Sequence, residues 1–168
     1  MTGMSRWSVQ IGLAALVALL AITACQREHV GPEAQVRTLI QGAIAEAEQK
    51  RIGDLRALIS EQYRDDQGQD KRAVENLLRL HFLRNERLYL FARVQSITLA
   101  PPDRAQAIVL VAMAGVPIAS AQDLPVVRAD MHRFEIDFAY EDKRWRAIRA
   151  AWRRAEAGEF LGLSGISD

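Results

Sequence analysis

Reading from the N-terminus, an almost unbroken apolar run, Ile11-Gly-Leu-Ala-Ala-Leu-Val-Ala-Leu-Leu-Ala-Ile22, follows a short segment whose only charge is Arg6. A polar stretch, Gln26–Gly31, separates this run from the first periodic segment, in which Val36, Leu39, Ile40, Ala43, Ile44 and Ala47 recur at helical spacing. That spacing predicts an amphipathic helix over about Glu33–Arg51, with Pro32 near its start, where a missing N–H is harmless. Gly53-Asp54 ends the pattern. Asp54 can cap a short second helix that buries Leu55, Leu58 and Ile59. Tyr63–Asp70 reads as a polar loop. A third helix is expected over Lys71–Arg84, with Val74, Leu77, Leu78 and His81 along one side.

Beyond Asn85 the period changes. Leu88–Leu99 and Arg104–Ala114 are rich in β-branched, aromatic and small apolar residues and flank Pro101-Pro102-Asp103, which predicts two antiparallel strands. Gly115–Asp130, with two prolines, is a longer excursion. Met131–Tyr140 alternates cleanly, with His132, Phe134, Ile136, Phe138 and Tyr140 on one side and Met131, Arg133, Glu135, Asp137 and Ala139 on the other. Glu141–Arg144 turns the chain into Trp145–Arg153. Trp145, Ile148 and Trp152 would also suit a helix, but without a strand here Met131–Tyr140 lacks a hairpin partner. Placing Ile148 and Trp152 with the phenylalanines leaves Arg149 and Arg153 facing Glu135 and Asp137, whereas the opposite register would put arginines among phenylalanines. This register needs an odd turn, read as three residues with a bulge. Ala155–Asp168, with three glycines, reads as a flexible C-terminal tail.

The N-terminal run is too short to span a bilayer. Twelve helical residues cover about 18 Å against a hydrocarbon core of about 30 Å. A charged start and a short apolar core suit an export signal. The run closes on Ile22-Thr23-Ala24-Cys25, which resembles the lipobox of bacterial lipoproteins. That resemblance implies cleavage after Ala24, a lipid on Cys25 and a tether over residues 25–32. Gln26 in place of the aspartate that holds such proteins at the inner membrane implies the outer membrane, facing the periplasm. Cys25 is the only cysteine, so an intrachain disulfide and a multi-cysteine metal site are both out of reach.

Removal of the signal takes Arg6 with it and leaves 21 basic against 21 acidic side chains. That balance argues against nucleic acid as a partner. Three helices followed by four antiparallel strands predict an α+β fold over residues 33–154. With Glu48-Gln-Lys-Arg-Ile-Gly-Asp-Leu-Arg-Ala-Leu-Ile59 and the Phe134–Trp152 hairpin, the order resembles the nuclear transport factor 2-like superfamily, which includes ketosteroid isomerase-like and SnoaL-like domains. The resemblance implies helices packed on a curved four-stranded antiparallel sheet, forming a cone with a pocket at its open end. Members range from isomerases, dehydratases and polyketide cyclases to transport adaptors, so the fold does not select a function.

Candidate chemistry is sparse. His-Glu-x-x-His, paired cysteines and a phosphate-binding loop are all missing, so no metal or cofactor is expected. The aspartate and tyrosine roles of the isomerase-type members cannot be placed on this chain residue by residue. His81 and His132 lie on apolar sides. Each is either a boundary histidine or part of a pocket wall with Phe134, Phe138, Tyr89 and Trp152. Arg144, Arg146, Arg149, Arg153 and Arg154 make a solvated face neutralised by Glu135 and Asp137, or else a contact for anionic lipid or cell wall. The expectation is a non-catalytic, membrane-anchored module for an apolar ligand or an envelope protein, with a homodimer through the sheet face as a further option. The alternative is a small pocket enzyme: an isomerase, dehydratase or hydrolase acting on an apolar small molecule.

Overall fold

The computed structural model describes residues 30–162. The export signal, Cys25 and most of the tether lie outside the described residues, as does the end of the C-terminal tail. Helix α1 (Pro32–Glu48) is followed by α2 (Ile52–Ala57) and α3 (Lys71–Arg84). Strands β1 (Tyr89–Ala100) and β2 (Arg104–Ala114) come next. A 3-10 turn (Ala121–Asp123) and a one-turn helix α4 (Leu124–Val127) lead to β3 (Asp130–Glu141) and β4 (Arg144–Arg154), and α5 (Ala157–Leu161) follows. The strands form one antiparallel sheet in sequence order.

The third helix has the predicted bounds, and Asp70 caps it by accepting from the Ala73 N–H at 2.9 Å. The second helix differs: Arg51 is its cap, and Asp54 sits in its first turn. There an acid still favours the positive end of the helix dipole. Leu55 is buried, but Leu58 and Ile59 only partly so.

One face of the sheet takes the helices. Val36 and Ile40 of α1 pack on Ala105, Ala107 and Val109 of β2, Phe138 of β3 and Trp145 of β4. Trp145 Nε1 donates to Gln35 at 3.2 Å, which ties the start of α1 to the β3–β4 hairpin. At the other end of the sheet, Leu55 and Phe82 pack with Leu88, Leu90 and Met113.

The hairpin pairs Phe134 with Trp152 and Asp137 with Arg149 as predicted, but Ala150 instead of Ile148 lies opposite Ile136, and Arg153 lies opposite Arg133, with Ala151 opposite Glu135. The odd residue is placed differently. The turn has two residues, Asp142 and Lys143, both with positive φ (49° and 64°), and the extra residue falls inside β4 as a bulge at Ile148. Two positive-φ residues match the right-handed twist of a hairpin, while a bulge resets side-chain parity. Ala147 and Trp145 can therefore join the helix-covered face.

Two segments read as loose are packed. The loop after α2 runs along the outer edge of β4. Ala147 N–H donates to Leu58 O, and the N–H groups of Ser60, Arg64 and Asp66 donate to Ala147, Ile148 and Ala150 carbonyls at 2.9, 3.0 and 3.3 Å. An exposed edge strand is thereby covered. The chain after β4 is likewise no loose tail up to Gly162. It folds onto the sheet face opposite the helices, where Phe160, fully buried, packs with Leu110, Ala112, Leu124 and Ala155.

Candidate functional site

The alternation of β3 sends His132, Phe134, Ile136 and Phe138 to the helix-side face. Phe138 is 1% exposed beneath α1 and belongs to the core, not to an open wall. Nearer the start of β3 the cover thins, and His132, Phe134 and Trp152 are half-buried. They form a row: the His132 and Phe134 rings are 6.1 Å apart, and those of Phe134 and Trp152 6.2 Å apart at an interplanar angle of 34°. Such offset spacing is favourable for aromatic pairs.

His132 is the polar element of this row. Its Nδ1 is buried without a hydrogen-bond partner among the described residues. The nearest acid, Asp130, places Oδ1 3.9 Å away, beyond hydrogen-bond reach. His81 on α3 stacks edge-on against Phe82 at 6.4 Å, and its Nε2 is likewise buried and unpartnered among the described residues. Buried nitrogens of this kind are paired in most proteins, so each is a place where a ligand group or water would be stabilised. Tyr89, expected beside them, is on the other face. It pairs with Ala114 and shares its side with Phe91, which packs against Phe160. The sequence period could not fix this, because β1 is apolar on both sides at that end.

Tyr63 and Asp65, like Ser60, are buried polar residues that no motif in the sequence marks. Tyr63 is 4% exposed, and its phenol is pushed up to about 12 by burial and then by the charges of Asp65 and Asp66. It stays neutral at physiological pH. Asp65 is buried as well. Its Oδ1 accepts from the Gln67 and Gln69 N–H groups at 2.9 and 2.7 Å, and its Oδ2 has no partner among the described residues. The segment Tyr63–Asp70 carries only the signature of a polar loop, and nothing in its composition marks which side chains turn inward.

A concavity lies elsewhere, a groove of about 530 Å³ between α2 and α3. It is lined by charges that largely satisfy one another: Glu75 takes Arg79 at 2.6 Å and Arg56 at 3.2 Å, and Lys71 takes Glu61 at 2.8 Å. Glu61 is held below the usual carboxylate range by its hydrogen bond from Lys71. Exposed mutual pairing and the lack of an apolar wall make it an ion-pair surface, not a ligand site. No group of three or more histidine, cysteine or acidic side chains is placed to hold a metal ion among the described residues.

No protein-family model matches the sequence, and no curated protein does so either. Solved structures do match in shape. A protein of unknown function from Pseudomonas putida KT2440, named as NTF2-like, superposes with a TM-score of 0.54 at 16% identity, over 71% of this chain and 84% of that one. The fold is nuclear transport factor 2-like. A provisionally named scytalone dehydratase from Novosphingobium aromaticivorans DSM 12444 shares it (TM-score 0.58, 11% identity, 73% and 83% covered). So does Bd1075 of Bdellovibrio bacteriovorus (0.58, 10%), of which the matched region spans only 40%. The NTF2-like fold thus occurs under names that differ in chemistry, and identities this low carry architecture alone.

Proposed function

We propose that this protein is an outer-membrane lipoprotein facing the periplasm, whose NTF2-like domain binds an apolar small ligand or a segment of an envelope protein without performing chemistry. The observation that carries the binding part is the half-buried His132–Phe134–Trp152 row, an apolar wall with one imidazole nitrogen that has no partner among the described residues. Apolar walls with a few convergent polar groups are the usual make-up of small-molecule sites. The anchoring part rests on Ile22-Thr23-Ala24-Cys25 behind a short apolar run. A bilayer contact through Cys25 and the absence of a nucleic-acid partner belong to the same reading. The sheet face favours a homodimer less, because α5 covers one end and ionic side chains occupy the other.

Anchoring is tested by metabolic labelling with a clickable fatty acid. Cys25→Ser should abolish the label, because the thiol is its acceptor, and equal label on both chains would refute lipidation. Binding is tested with Nile red, whose emission should rise with the wild type and fall several-fold with Trp152→Ala.

The enzyme alternative is carried by one observation, the Asp130 carboxylate lying beyond hydrogen-bond reach of His132 but close enough to approach it. Catalytic pairs often tighten only when substrate binds. On the binding reading, His132→Gln keeps the fold and Nile red affinity within a few-fold. A hundred-fold loss of turnover on any apolar substrate, with an unchanged melting curve, would establish the enzyme instead.

A further inference from the structure

Helix α3 turns Leu78, His81 and Phe82 inward, whereas Leu77, Leu80 and Leu83 are 52%, 46% and 83% exposed. This corrects the expected placement of Leu77, and it leaves three leucines at i, i+3 and i+6 facing outward within roughly a third of the helix circumference. The stripe is held firmly. Lys50 Nζ donates to the Phe82, Asn85 and Glu86 carbonyls, which fixes the end of the helix from which Leu83 projects. Exposed Arg72, Arg84 and Arg87 flank the stripe without an ion pair among the described residues. Of the nearby acids, Glu75 is committed to Arg56 and Arg79, and Glu86 alone carries no ion pair among the described residues.

We propose that this side of α3 lies on an anionic lipid surface, with the leucines in the interface and the arginines on headgroup phosphates. A helix with apolar residues on one side and arginines beside them suits such a surface. A second copy of the chain fits less well. Three leucines offer on the order of 300 Å², short of the roughly 800 Å² per partner in a stable dimer, and pairing would bring these arginines against one another. The chain length agrees with a lipid surface. The seven residues Cys25–Gly31 reach at most about 25 Å, and α1 is about 26 Å long. A lipid on Cys25 therefore lets the domain lie on its side. The proposal takes from the reading above only the nearness of a bilayer.

The test uses the full chain carrying Cys25→Ser, so that the only thiol is one introduced at Leu83→Cys or, as control on the opposite sheet face, at Thr98→Cys. Each is labelled with an environment-sensitive fluorophore and mixed with vesicles of phosphatidylglycerol and phosphatidylethanolamine. Any association through the apolar run is common to both chains, so only the difference between positions counts. Position 83 should blue-shift and be quenched by spin-labelled lipid several-fold more than position 98, and Arg72→Glu/Arg84→Glu/Arg87→Glu should remove the difference. Equal signals at the two positions, or indifference to the triple change, would overturn the proposal. So would a blue shift without vesicles that tracks dimer formation in sedimentation, which would assign the stripe to a second copy. Because Cys25→Ser removes the lipid acceptor from every one of these chains, failure here is separate from failure of the anchoring test.

Discussion

The two faces of the sheet obey the same alternation, yet they are covered in different ways. The helix-side face is sealed along much of its length by α1, which follows one continuous apolar stripe from Val36 to Ile44. The outer face is divided. From the β3–β4 turn to the middle of β3 it carries polar side chains, with Gln106 Nε2 donating to Asp137 at 2.9 Å and Glu135 pairing with Arg133, which lies opposite Leu110, at 3.0 Å. At the other end it is apolar, with Phe91, Leu110, Ala112 and Met131, and there the chain after β4 returns to cover it. The contrast shows that a face need not have one partner. β2 is buried on both sides because one strand runs from beneath α1 into the ground claimed by Phe160.

This contrast can be broken from either side. Phe138→Ala empties a site that α1 and three strands enclose, and it should cost about 3–5 kcal/mol in a urea melt. Phe160→Ala should cost less, about 2–3 kcal/mol, because α5 can let go and rehydrate instead of leaving a cavity. The signature of that release is faster proteolysis after Arg154 with the sheet intact. Equal costs and equal protease resistance would mean that the two covers are one cooperative unit.

A smaller effect is expected at Trp152. Had it been a core residue, its truncation would resemble that of Phe138. As a half-buried neighbour of Phe134, it should cost about 1–2 kcal/mol. A loss as large as that of Phe138→Ala would mean that the row is packed shut and unavailable to a ligand.

The smallest effect concerns the latch on α5. Arg153 reaches Glu159 with two nitrogens, at 3.0 and 2.7 Å, and their hydrogen bond holds the Glu159 carboxyl below its ordinary value. A carboxyl depressed in the folded state stabilises above the unfolded pKa, and the contribution is lost as pH falls through the folded value. The latch should therefore hold at neutral pH and weaken below the usual carboxylate range. Glu159→Gln should remove that dependence at a cost within about 1 kcal/mol at pH 7, as befits a pair with an exposed arginine. Hydrogen exchange at Phe160 between pH 7 and pH 3 measures it, and identical pH profiles for wild type and variant would discount the pair.

By itself the sequence determined whatever depends on local periodicity. The three helices, the four strands and the pairing of Phe134 with Trp152 follow from spacings of 3.6 and 2 and from the cost of placing arginines among phenylalanines. It also holds one sign of the double cover: Ile108–Met113 is apolar without alternation, the pattern of a strand buried on both faces. The tertiary structure alone decided the rest. A bulge at Ile148, and not the turn, absorbs the odd residue, because either place restores the same register. Tyr63 and Asp65 turn inward because their loop hydrogen-bonds along the edge of β4, a contact between residues some 85 apart in sequence. Tyr89 lies away from His132 because β1 is apolar on both sides where it begins, so parity had to come from its pairing with β2. Leu77 faces outward for a similar reason. Leucines occupy both sides of α3, and only the packing of Phe82 on Leu55 and Leu88 selects which side is covered.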